Sequence, residues 1–427
     1  MDSIFSPVTL SGHMVAPASK SETHRRLICA GLSREESSME RVLVSKDIEA
    51  TIRCLEALGT DVTTDDTGVR VRGFARKKDL LPIFDTGESG STLRFFVPLA
   101  LTICGGGIFR MHGNLGKRPM DIYRDLFVPQ GVSWHMGIGA DEILELVVQG
   151  QMESGEYVIP GNVSSQFVSG LLFALPLLRG NSTLEVVPPV ESEGYIHMTV
   201  QAIRDCGIEI REEKAKKRGL KWTIPGGQQY RARNGAMHGD WSQAAVLLCA
   251  DALGSSVQLE GLREDSLQGD KSILECLEQM GARIVREEGG IRVEADRLHG
   301  MEFDMQDRPD IAPMLALVCQ MAEGTSILRG CDRLKLKECD RLAGTVNILN
   351  VIGGKAREEK GSIVIEGVSH LKGGCELRDE HDHRMVMLAS IAALVCEEPL
   401  TVHGVESLEK SWPDYLEVYK ALGGKVS

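Results

Sequence analysis

The sequence predicts a two-domain α/β protein in which helices form the cores and β-strands lie outside them. Three observations support this prediction: the length of the chain, a repeat that runs through it, and one set of helices that is apolar on nearly every side. The chain has 427 residues, which is too many for one ordinary hydrophobic core. Hydrophobic residues make up 42% of it and aromatic residues 5%, as expected of a soluble globular protein that is poor in rings.

A helix that ends in glycine recurs six times. Each copy has a polar start, an apolar body of helical period, and a glycine where the residue after a helix adopts the left-handed conformation. The copies span residues 47–59, 119–131, 194–207, 269–281, 338–353 and 413–423. Their closing glycines follow one another at steps of 70 to 76 residues. A spacing this regular indicates an internal repeat and not a coincidence.

A second helix recurs between the copies of the first. Its copies begin near Lys20, Ser91, Ser165, Ser242, Asp310 and His383. After a polar first turn they are apolar nearly all round, which is typical of buried helices. Repeats of this length are typical of solenoids, propellers and pseudo-symmetric barrels. We expect two domains of three units each, with buried helices that point the same way and strands outside them.

The ends of those helices suggest a function. Helix N-termini carry unpaired N–H groups and a partial positive charge, so a set of them on one face would bind anions. The formal net charge of −13 argues against a general nucleic-acid or polyanion surface. A local cluster of Lys and Arg must therefore hold the anion. The alternative is that these turns are merely capped, which explains any one of them taken alone.

The cysteines and the apolar stretches indicate the compartment. The 11 cysteines are odd in number and scattered without a C-x-x-C pair, which fits reduced thiols in a cytosolic protein and neither a disulfide framework nor a structural zinc site. Residues 1–18 lack the pattern of a signal peptide. The longest apolar stretches, near 167–178 and 385–395, are too short to span a bilayer. We expect a cytoplasmic protein without membrane or nucleic-acid partners.

Cations lie in or beside several predicted first turns. Residues 19–22 have the form of a capping box, with Lys20 at the first helical position and Arg25 one turn beyond Ser21. A cap needs no cation, and a cation opposes the helix dipole, so these two favour an anionic ligand over solvated charge. The glycine-rich segment 87–94 could let backbone N–H groups approach a phosphate. Arg118 precedes another predicted helix, where a solvated loop is the alternative.

The remaining first turns offer groups that bind oxygen atoms. Ser164, Ser165 and Gln166 open the third buried helix and suit an oxygen-rich ligand. Ser192 and Tyr195 have the same chemistry before another helix. Plain N-capping is the alternative at each of these turns.

Acid–base and cationic groups begin the later helices. One carboxylate suffices to cap the fifth buried helix, so Asp310 is spare and could act as a general base. The H-x-H pair at 381–383 has the spacing of metal ligands, but no further ligand cluster lies near it in sequence. A capping Asp with Arg384 as an anion clamp is therefore favoured there. Lys410 stands at the start of the last helix.

Residues 333–342 alternate apolar and basic as far as Lys337, which predicts a strand end. Spacing then becomes helical, so we expect Lys335, Lys337 and Arg341 to gather around Glu338. The alternative is a solvated helix start with local ion pairs.

These residues, in this order, resemble the enolpyruvyl transferases, most closely the branch that acts on shikimate 3-phosphate. The resemblance covers the whole chain through residues 17–25, 87–94, 118–119, 164–166, 268–270, 309–310, 337–341, 382–384 and 410–415. It implies a two-domain inside-out α/β barrel of six βαβαββ repeats, three per domain. Domain I would be residues 1–19 with 239–427 and domain II residues 20–238, with the active site in the cleft between them.

The resemblance also implies a reaction. The enolpyruvyl group of phosphoenolpyruvate passes to the 5-hydroxyl of shikimate 3-phosphate, and phosphate leaves through a tetrahedral intermediate, in aromatic amino acid biosynthesis. No cofactor or metal is implied, the partners are the two small substrates, and a monomer is expected.

Roles for individual residues follow from the same resemblance. Asp310 would be the base for the attacking hydroxyl, and Glu338 and Lys20 would handle the proton at the methylene carbon. The residues expected to bind shikimate 3-phosphate are Lys20, Ser21, Arg25, Ser164, Ser165, Gln166, Ser192, Tyr195, Asp310, Arg333 and Lys337. The residues expected to bind phosphoenolpyruvate are Lys20, Gly90, Arg118, Gln166, Arg341, Arg384 and Lys410. A proton donor must be neutral, yet cations beside Glu338 favour its ionised form, so the choice between Glu338 and Lys20 stays open.

The sequence departs from the family pattern at Glu88, His24, Arg333 and Phe95. Glu88, His24 and Arg333 stand where the family usually has Asn, and Phe95 where a Pro is common. Gly90 leaves the room that glyphosate, a mimic of phosphoenolpyruvate, requires in this family, so inhibition by glyphosate is expected.

Two other functions compete with this one. The sister enzyme acting on UDP-N-acetylglucosamine has a Cys in the loop before the Arg-Pro pair, and residues 113–117 have none. A non-catalytic anion-binding repeat protein would need cations but neither a spare Asp310 nor Glu338.

Overall fold

The computed structural model describes residues 2–73, 81–214, 219–287, 289–378 and 380–427. The chain divides into two compact units. Unit 1 consists of Met1–Ser19 and His238–Ser427, and unit 2 of Lys20–Met237. The sequence had placed the second boundary between residues 238 and 239.

Twelve α-helices lie within the described ranges. They are α1 (Lys20–Leu32), α2 (Lys46–Ala57), α3 (Gly90–Ile103), α4 (Asp121–Phe127), α5 (Ser165–Ala174), α6 (Glu193–Asp205), α7 (Trp241–Ala252), α8 (Ile273–Gln279), α9 (Ala312–Gln320), α10 (Arg341–Val351), α11 (His383–Ala392) and α12 (Tyr415–Ala421). The odd-numbered helices begin within two residues of the starts predicted for the buried set. Every residue of α7, α9 and α11 is buried, and these three helices contact one another.

The glycines predicted to end the other helices have the expected conformation. Their φ angles lie between 82° and 105°, a region that side chains other than glycine rarely enter. The six are Gly59, Gly131, Gly207, Gly281, Gly353 and Gly423. This part of the prediction is confirmed, because the glycine signal is local and needs no tertiary context.

Among its described residues, unit 2 holds three four-stranded sheets of one topology. In each, the first two strands are parallel and the other two pairings are antiparallel. In spatial order the strands are Gly235–Ala236, Glu36–Glu40, Gly68–Arg72 and Asp61–Asp65; Ile83–Asp85, Gly106–Met111, Leu144–Gln149 and Ser133–Ile138; and Glu156–Pro160, Ser182–Val187, Leu220–Ile224 and Arg211–Glu213. The second strand of each sheet largely alternates buried and less buried residues, so one face packs on the helices.

The described part of unit 1 holds three sheets of the same topology. Their strands are Ser11–Val15, Ser256–Glu260, Gly290–Glu294 and Arg283–Glu287; Glu302–Asp304, Thr325–Arg329, Ser362–Glu366 and Ala356–Glu359; and Glu376–Leu377, Leu400–His403, Asp2–Ser6 and Lys425–Val426. A two-stranded pair joins Leu371–Gly373 to Cys396–Glu398. The strand Asp2–Ser6 thus lies between two strands from the far end of the sequence.

The strand predicted to lead into Lys337 is wrong. The strand Thr325–Arg329 ends earlier, and Asp332–Leu336 forms a 3₁₀-helix. α10 then begins at Arg341, where the Asp340 side chain accepts a hydrogen bond from the backbone N–H of Ala343 at 3.0 Å. The alternating pattern misled because only Leu334 of its leucines is buried, while Leu336 is exposed.

No helix of the described residues is both long enough and apolar enough to cross a membrane.

Candidate active site

A cluster of five charged side chains lies in unit 1. We call it the carboxylate cluster, and it consists of Asp310, Lys337, Glu338, Arg341 and Asp382. Asp310 lies in a short 3₁₀-helix, Pro309–Ile311, directly before α9, and Asp382 directly before α11. The contacts between α9, α10 and α11 bring these sequence-distant groups together.

Arg341 is the centre of the carboxylate cluster. Its side chain is only 2% exposed, and four of its N–H groups donate to carboxylates. Nε donates to Asp382 at 2.7 Å, Nη1 to Asp310 at 2.7 Å, and Nη2 to Glu338 at 2.7 Å and to Asp382 at 3.2 Å. Burial would lower the pKa of Arg341, but Asp382, Glu338 and Asp310 hold it well above its ordinary value. Arg341 is thus a fixed cation whose charge is largely matched by its neighbours.

Asp310 is partly exposed and shares one oxygen between two cations. Its Oδ1 accepts hydrogen bonds from Lys337 Nζ at 2.9 Å and from Arg341 Nη1 at 2.7 Å. Burial would raise the pKa of Asp310, but Lys337, Arg341 and Arg384 together hold it far below its ordinary value. The carboxylate is therefore ionised and able to accept a proton, although these cations make it a weak base.

Asp382 belongs to the carboxylate cluster through a contact that the sequence did not reveal. It is completely buried, and its Oδ1 accepts a hydrogen bond from the backbone N–H of Arg384 at 2.8 Å, as a capping residue should. The same carboxylate also holds Arg341, 41 residues away in sequence. Capping was predictable from the local pattern, but a contact over that separation was not.

Arg384 is held differently from Arg341. Its Nη1 donates to the backbone carbonyl of Ser242, in the first turn of α7, at 2.7 Å. Its Nε is buried without a hydrogen-bond partner among the described residues, and the described carboxylates form no ion pair with its guanidinium. The charge of Arg384 is therefore available to an anion.

Two further predicted residues of unit 1 lie in 3₁₀-helices. Lys410 is buried at the end of Val405–Lys410, and Arg333 is half-buried in Asp332–Leu336. The prediction that Lys335 gathers at Glu338 is wrong: Lys335 is exposed and pairs with Glu358 at 2.6 Å. Strand Ala356–Glu359 brings Glu358 to Lys335, a partner that sequence spacing could not reveal.

In unit 2, Lys20 is the first residue of α1, as predicted. Its Nζ lies 2.7 Å from Oδ2 of Asp47, in the first turn of α2. Asp47 was not among the predicted residues, because its contact with Lys20 joins two helices.

Arg25 is 3% exposed and is held by neutral oxygens. Nε donates to the Thr199 hydroxyl at 2.8 Å, Nη1 to the Ser21 carbonyl at 2.7 Å and Nη2 to the Tyr195 carbonyl at 2.9 Å. The guanidinium also lies over the rings of Phe95 and Tyr195, 5.5 and 5.9 Å from their centroids. Burial lowers the pKa of Arg25 to about 10.

Gly90 and Gln166 lie among two arginines and a serine. A Cβ atom added to Gly90, the first residue of α3, would lie 2.6 Å from Nη1 of Arg118 and 3.2 Å from Nη1 of Arg94. Gln166 accepts from Arg94 Nη1 at 2.5 Å and donates to Ser91 Oγ at 2.7 Å. Arg94 was not predicted, although a cation inside an otherwise apolar helix was a signal for it.

The predicted serines lie at helix starts. Ser164 caps α5 by accepting from the backbone N–H of Gln166 at 3.3 Å, and buried Ser165 is its first residue. Ser192 precedes α6 with a φ of 54°, a left-handed conformation that is uncommon for a serine.

The family departures in unit 2 include a buried histidine and an exposed glutamate. His24 is buried, with Nδ1 2.7 Å from the Thr51 hydroxyl, and its ring lies edge-on to Phe95. Glu88 is exposed. The contacts of His24 with Thr51 and Phe95 explain how this position holds an imidazole.

The sequence left a metal site at residues 381–383 as the less favoured interpretation. Among the residues that the structure describes, no group of three His, Cys, Asp or Glu side chains could hold an ion.

Comparison with known proteins identifies relatives. The family described as EPSP synthase (3-phosphoshikimate 1-carboxyvinyltransferase) matches residues 5–419. The chain is 39% identical over 426 residues to a 3-phosphoshikimate 1-carboxyvinyltransferase of Clostridium beijerinckii. The aligned region covers 98% of this chain and 96% of the relative. The chain is 37% identical over 430 residues to the protein of the same name from Clostridioides difficile, covering 98% and 97%.

Solved structures share the fold. An EPSP synthase from Acinetobacter baumannii superposes with a TM-score of 0.80 at 23% identity, covering 100% of this chain and 99% of that one. The enolpyruvyl transferase NikO from Streptomyces tendae gives a TM-score of 0.79 at 18% identity, covering 100% and 98%. The predicted two-domain inside-out α/β fold is confirmed by these structures.

Proposed function

Since the chain belongs to the EPSP synthase (3-phosphoshikimate 1-carboxyvinyltransferase) family, we propose how its side chains perform the reaction of that family. The enzyme transfers the enolpyruvyl group of phosphoenolpyruvate to the 5-hydroxyl of shikimate 3-phosphate and releases phosphate, in the shikimate pathway of aromatic amino acid biosynthesis. The UDP-N-acetylglucosamine enzyme and the non-catalytic binding protein are not favoured.

The observation that carries our assignment of roles is Asp310, an ionised carboxylate between Lys337 and Arg341. We assign to Asp310 the removal of the proton from the attacking 5-hydroxyl. Its low pKa makes it a poor base as long as no anionic substrate lies beside Lys337 and Arg384. An anionic substrate bound beside those cations would offset them and raise the basicity of Asp310. Binding of the second substrate would thereby prepare the base for the chemistry.

We assign shikimate 3-phosphate chiefly to unit 2. A phosphate needs cations with available donors, and Arg25 is a buried cation held by neutral groups alone. Hydroxyl and amide groups of the helix starts would bind the ring oxygens. The full proposed set is Lys20, Ser21, Arg25, Ser164, Ser165, Gln166, Ser192, Tyr195, Asp310, Arg333 and Lys337.

Phosphoenolpyruvate carries a phosphate and a carboxylate, so it requires several cations. Arg384 supports this role, because no described carboxylate pairs with its guanidinium. Gly90 supports it by leaving space beside Arg118 and Arg94. The full proposed set is Lys20, Gly90, Arg118, Gln166, Arg341, Arg384 and Lys410. Fixed cations at these positions would also stabilise the charge of the departing phosphate.

The proton for the methylene carbon comes from Glu338 or Lys20 in this proposal. Glu338 accepts from Arg341 at 2.7 Å and Lys20 pairs with Asp47 at 2.7 Å, so each is held by a partner of opposite charge. Comparison of Glu338→Gln with Lys20→Met in single-turnover proton exchange at the methylene would distinguish them. The donor's variant should abolish the exchange.

The test of the function is phosphate release on mixing the protein with both substrates. Asp310→Ala and Lys20→Met should lose most of the release. Lys335→Met is the matched control, because Lys335 pairs with exposed Glu358 and its loss should leave turnover unchanged. Phosphate release with UDP-N-acetylglucosamine in place of shikimate 3-phosphate would contradict the proposal.

The expectation that both units act on the same substrates, in a cleft between the two domains, stays a prediction. Facing cations would repel one another until ligands match their charge. Solution scattering should therefore record compaction when both substrates are added, and an unchanged radius of gyration would count against it.

We further propose a monomeric, cytoplasmic enzyme that needs no metal or cofactor. All 11 cysteines are free thiols, which supports a reducing compartment. Sedimentation velocity tests the monomer, and turnover in the presence of a chelator tests the metal independence.

A further inference from the structure

The segment Gln268-Gly269-Asp270 belongs to the pattern of the family, yet the reaction steps assigned above make no use of it. It opens the 3₁₀-helix Gly269–Ser272, which leads into α8. Both polar side chains are buried, with Gln268 3% and Asp270 0% exposed. Buried polar groups of this kind need a hydrogen-bonding reason to be there. Their partners lie in the first turn of α7.

Gln268 uses both ends of its amide. Its Oε1 accepts a hydrogen bond from the backbone N–H of Trp241 at 3.0 Å, and its Nε2 donates to Oδ1 of Asp240 at 3.1 Å. That same oxygen of Asp240 accepts from the backbone N–H of Ser242 at 2.8 Å. The Ser242 hydroxyl in turn donates to Asp270. We call Asp240, Gln268 and Asp270 the α7 clamp, because together they fix the first two residues of that helix.

One backbone oxygen at the start of α7 connects the α7 clamp to Arg384 in the proposed substrate site. The backbone carbonyl of Ser242 is the acceptor for Nη1 of Arg384, at 2.7 Å. Arg341 is fixed from three sides by carboxylates. Arg384 forms no ion pair with a described carboxylate, although its charge acts on Asp310. The direction of its guanidinium therefore depends on where the Ser242 carbonyl points.

We infer that Gln268 is a positioning residue for phosphoenolpyruvate, which holds the Ser242 carbonyl and through it the guanidinium of Arg384. The inference rests on the proposed role of Arg384 in binding that substrate. The position needs a donor and an acceptor on one planar group, since it must give a hydrogen bond to a carboxylate and take one from a backbone N–H. An ionised glutamate would meet the Asp240 carboxylate with a like charge, and a methionine would fill the space without hydrogen bonds.

The test separates the affinities for the two substrates. Gln268→Met should raise the KM for phosphoenolpyruvate about tenfold, the scale of one lost hydrogen bond to a charged group. The KM for shikimate 3-phosphate should stay within about twofold of the wild type. A loss of folding alone would reduce the amount of active enzyme and leave both KM values unchanged.

Gln268→Glu provides a second measurement. A protonated carboxyl group again has one donor and one acceptor, so the KM for phosphoenolpyruvate relative to wild type should fall as the pH is lowered from 8 to 6. The charged groups in contact with this position are Asp240 and, through Ser242, Asp270 and Arg384. The wild-type enzyme measured at each pH corrects for their titration and for that of the substrate phosphate.

Gln320 is the matched control. It is also completely buried in unit 1 and also bonds at both ends, donating to the Glu366 carbonyl at 2.7 Å and accepting from the N–H of Lys355 at 2.9 Å. Gln320→Met should lower stability without separating the two KM values.

The outcomes distinguish this inference from the function on which it rests. If Arg384→Lys leaves the KM for phosphoenolpyruvate unchanged, the proposed role of Arg384 is wrong. If Arg384→Lys raises that KM while Gln268→Met does not, or if Gln268→Met raises both KM values equally, the positioning role of Gln268 is wrong.

Discussion

Arg341 of unit 1 and Arg25 of unit 2 are both buried, but their charges are treated in opposite ways. Arg341 is surrounded by the carboxylates of Asp310, Glu338 and Asp382. Arg25 is held by two backbone carbonyls, one hydroxyl and two aromatic rings, with no described carboxylate in contact. The pKa values follow: burial lowers that of Arg25 to about 10, whereas the three carboxylates raise that of Arg341 against the effect of burial.

The surroundings of the two arginines indicate different functions. A buried cation without a counter-ion is costly, so its presence indicates a ligand that brings the opposite charge. A buried cation shared among carboxylates instead sets the proton affinity of those carboxylates. Unit 2 therefore has the electrostatics of an anion-binding site at Arg25, and unit 1 has those of an acid–base site at Arg341.

The largest expected effect comes from Arg341→Gln. This variant leaves three carboxylates without their shared cation, so we expect the free energy of unfolding to fall by about 3–5 kcal/mol. Arg25→Gln leaves only neutral oxygens unpaired and should cost about 1–3 kcal/mol. Urea denaturation at pH 7.5 measures both. Equal losses in the two variants would mean that the counter-charges do not matter as described.

Arg25→Lys should sharpen the binding half of the comparison. A lysine cannot reproduce contacts to Thr199, Ser21 and Tyr195 together, so we expect the KM for shikimate 3-phosphate to rise about tenfold to a hundredfold. The KM for phosphoenolpyruvate should change little. Steady-state kinetics with each substrate varied in turn would show this, and a larger rise for phosphoenolpyruvate would reverse our assignment.

The pH dependence of stability should differ between the two regions. The pKa of Asp310 is depressed in the folded state, so its stabilisation is present above the unfolded value of about 3.9 and is lost as the pH falls through the folded value. The unfolding free energies of wild type and Asp310→Asn should differ by about 2 kcal/mol at pH 7 and begin to converge only below about pH 4. The corresponding difference for Arg25→Gln should stay constant over the same range. Denaturation series from pH 7 down to about pH 2 test both statements.

Gly90→Ala should have the smallest effect. The new methyl group would lie 2.6 Å from the flexible end of Arg118, which must move aside. We expect about a threefold rise in the KM for phosphoenolpyruvate, since a shift of a flexible side chain costs well under 1.4 kcal/mol, together with weaker inhibition by glyphosate. Gly155→Ala is the control, because an added Cβ there meets nothing within 4 Å. Undiminished inhibition of Gly90→Ala would remove Gly90 from the proposed site.

The sequence predicted what local chemistry determines. A polar first turn and a closing glycine can each be recognised from a few neighbouring residues. The starts of the buried helices and the φ angles of the glycines agree with these predictions. The family and the two-domain α/β fold are likewise confirmed. The roles of the site residues stay predictions.

What the sequence missed depends on contacts across the fold. Lys335 was assigned to Glu338 by spacing, but a neighbouring strand brings Glu358 to it. The local sequence predicted Asp382 only as a helix cap. The packing of α11 against α10 brings its carboxylate into contact with Arg341. Arg94 was overlooked although it stands among apolar residues of α3, because its partner Gln166 lies 72 residues away in sequence.

The position of the strand Asp2–Ser6 has a consequence for biosynthesis. This strand pairs with Leu400–His403 and with Lys425–Val426. During synthesis it therefore has no partner strand until those residues have been translated. Lys20–Met237 is a continuous segment and can complete its own sheets and helices well before then. Nascent chains stalled shortly after residue 280 should therefore already contain a protease-resistant unit 2, while the strand that precedes it in the sequence is still unpaired.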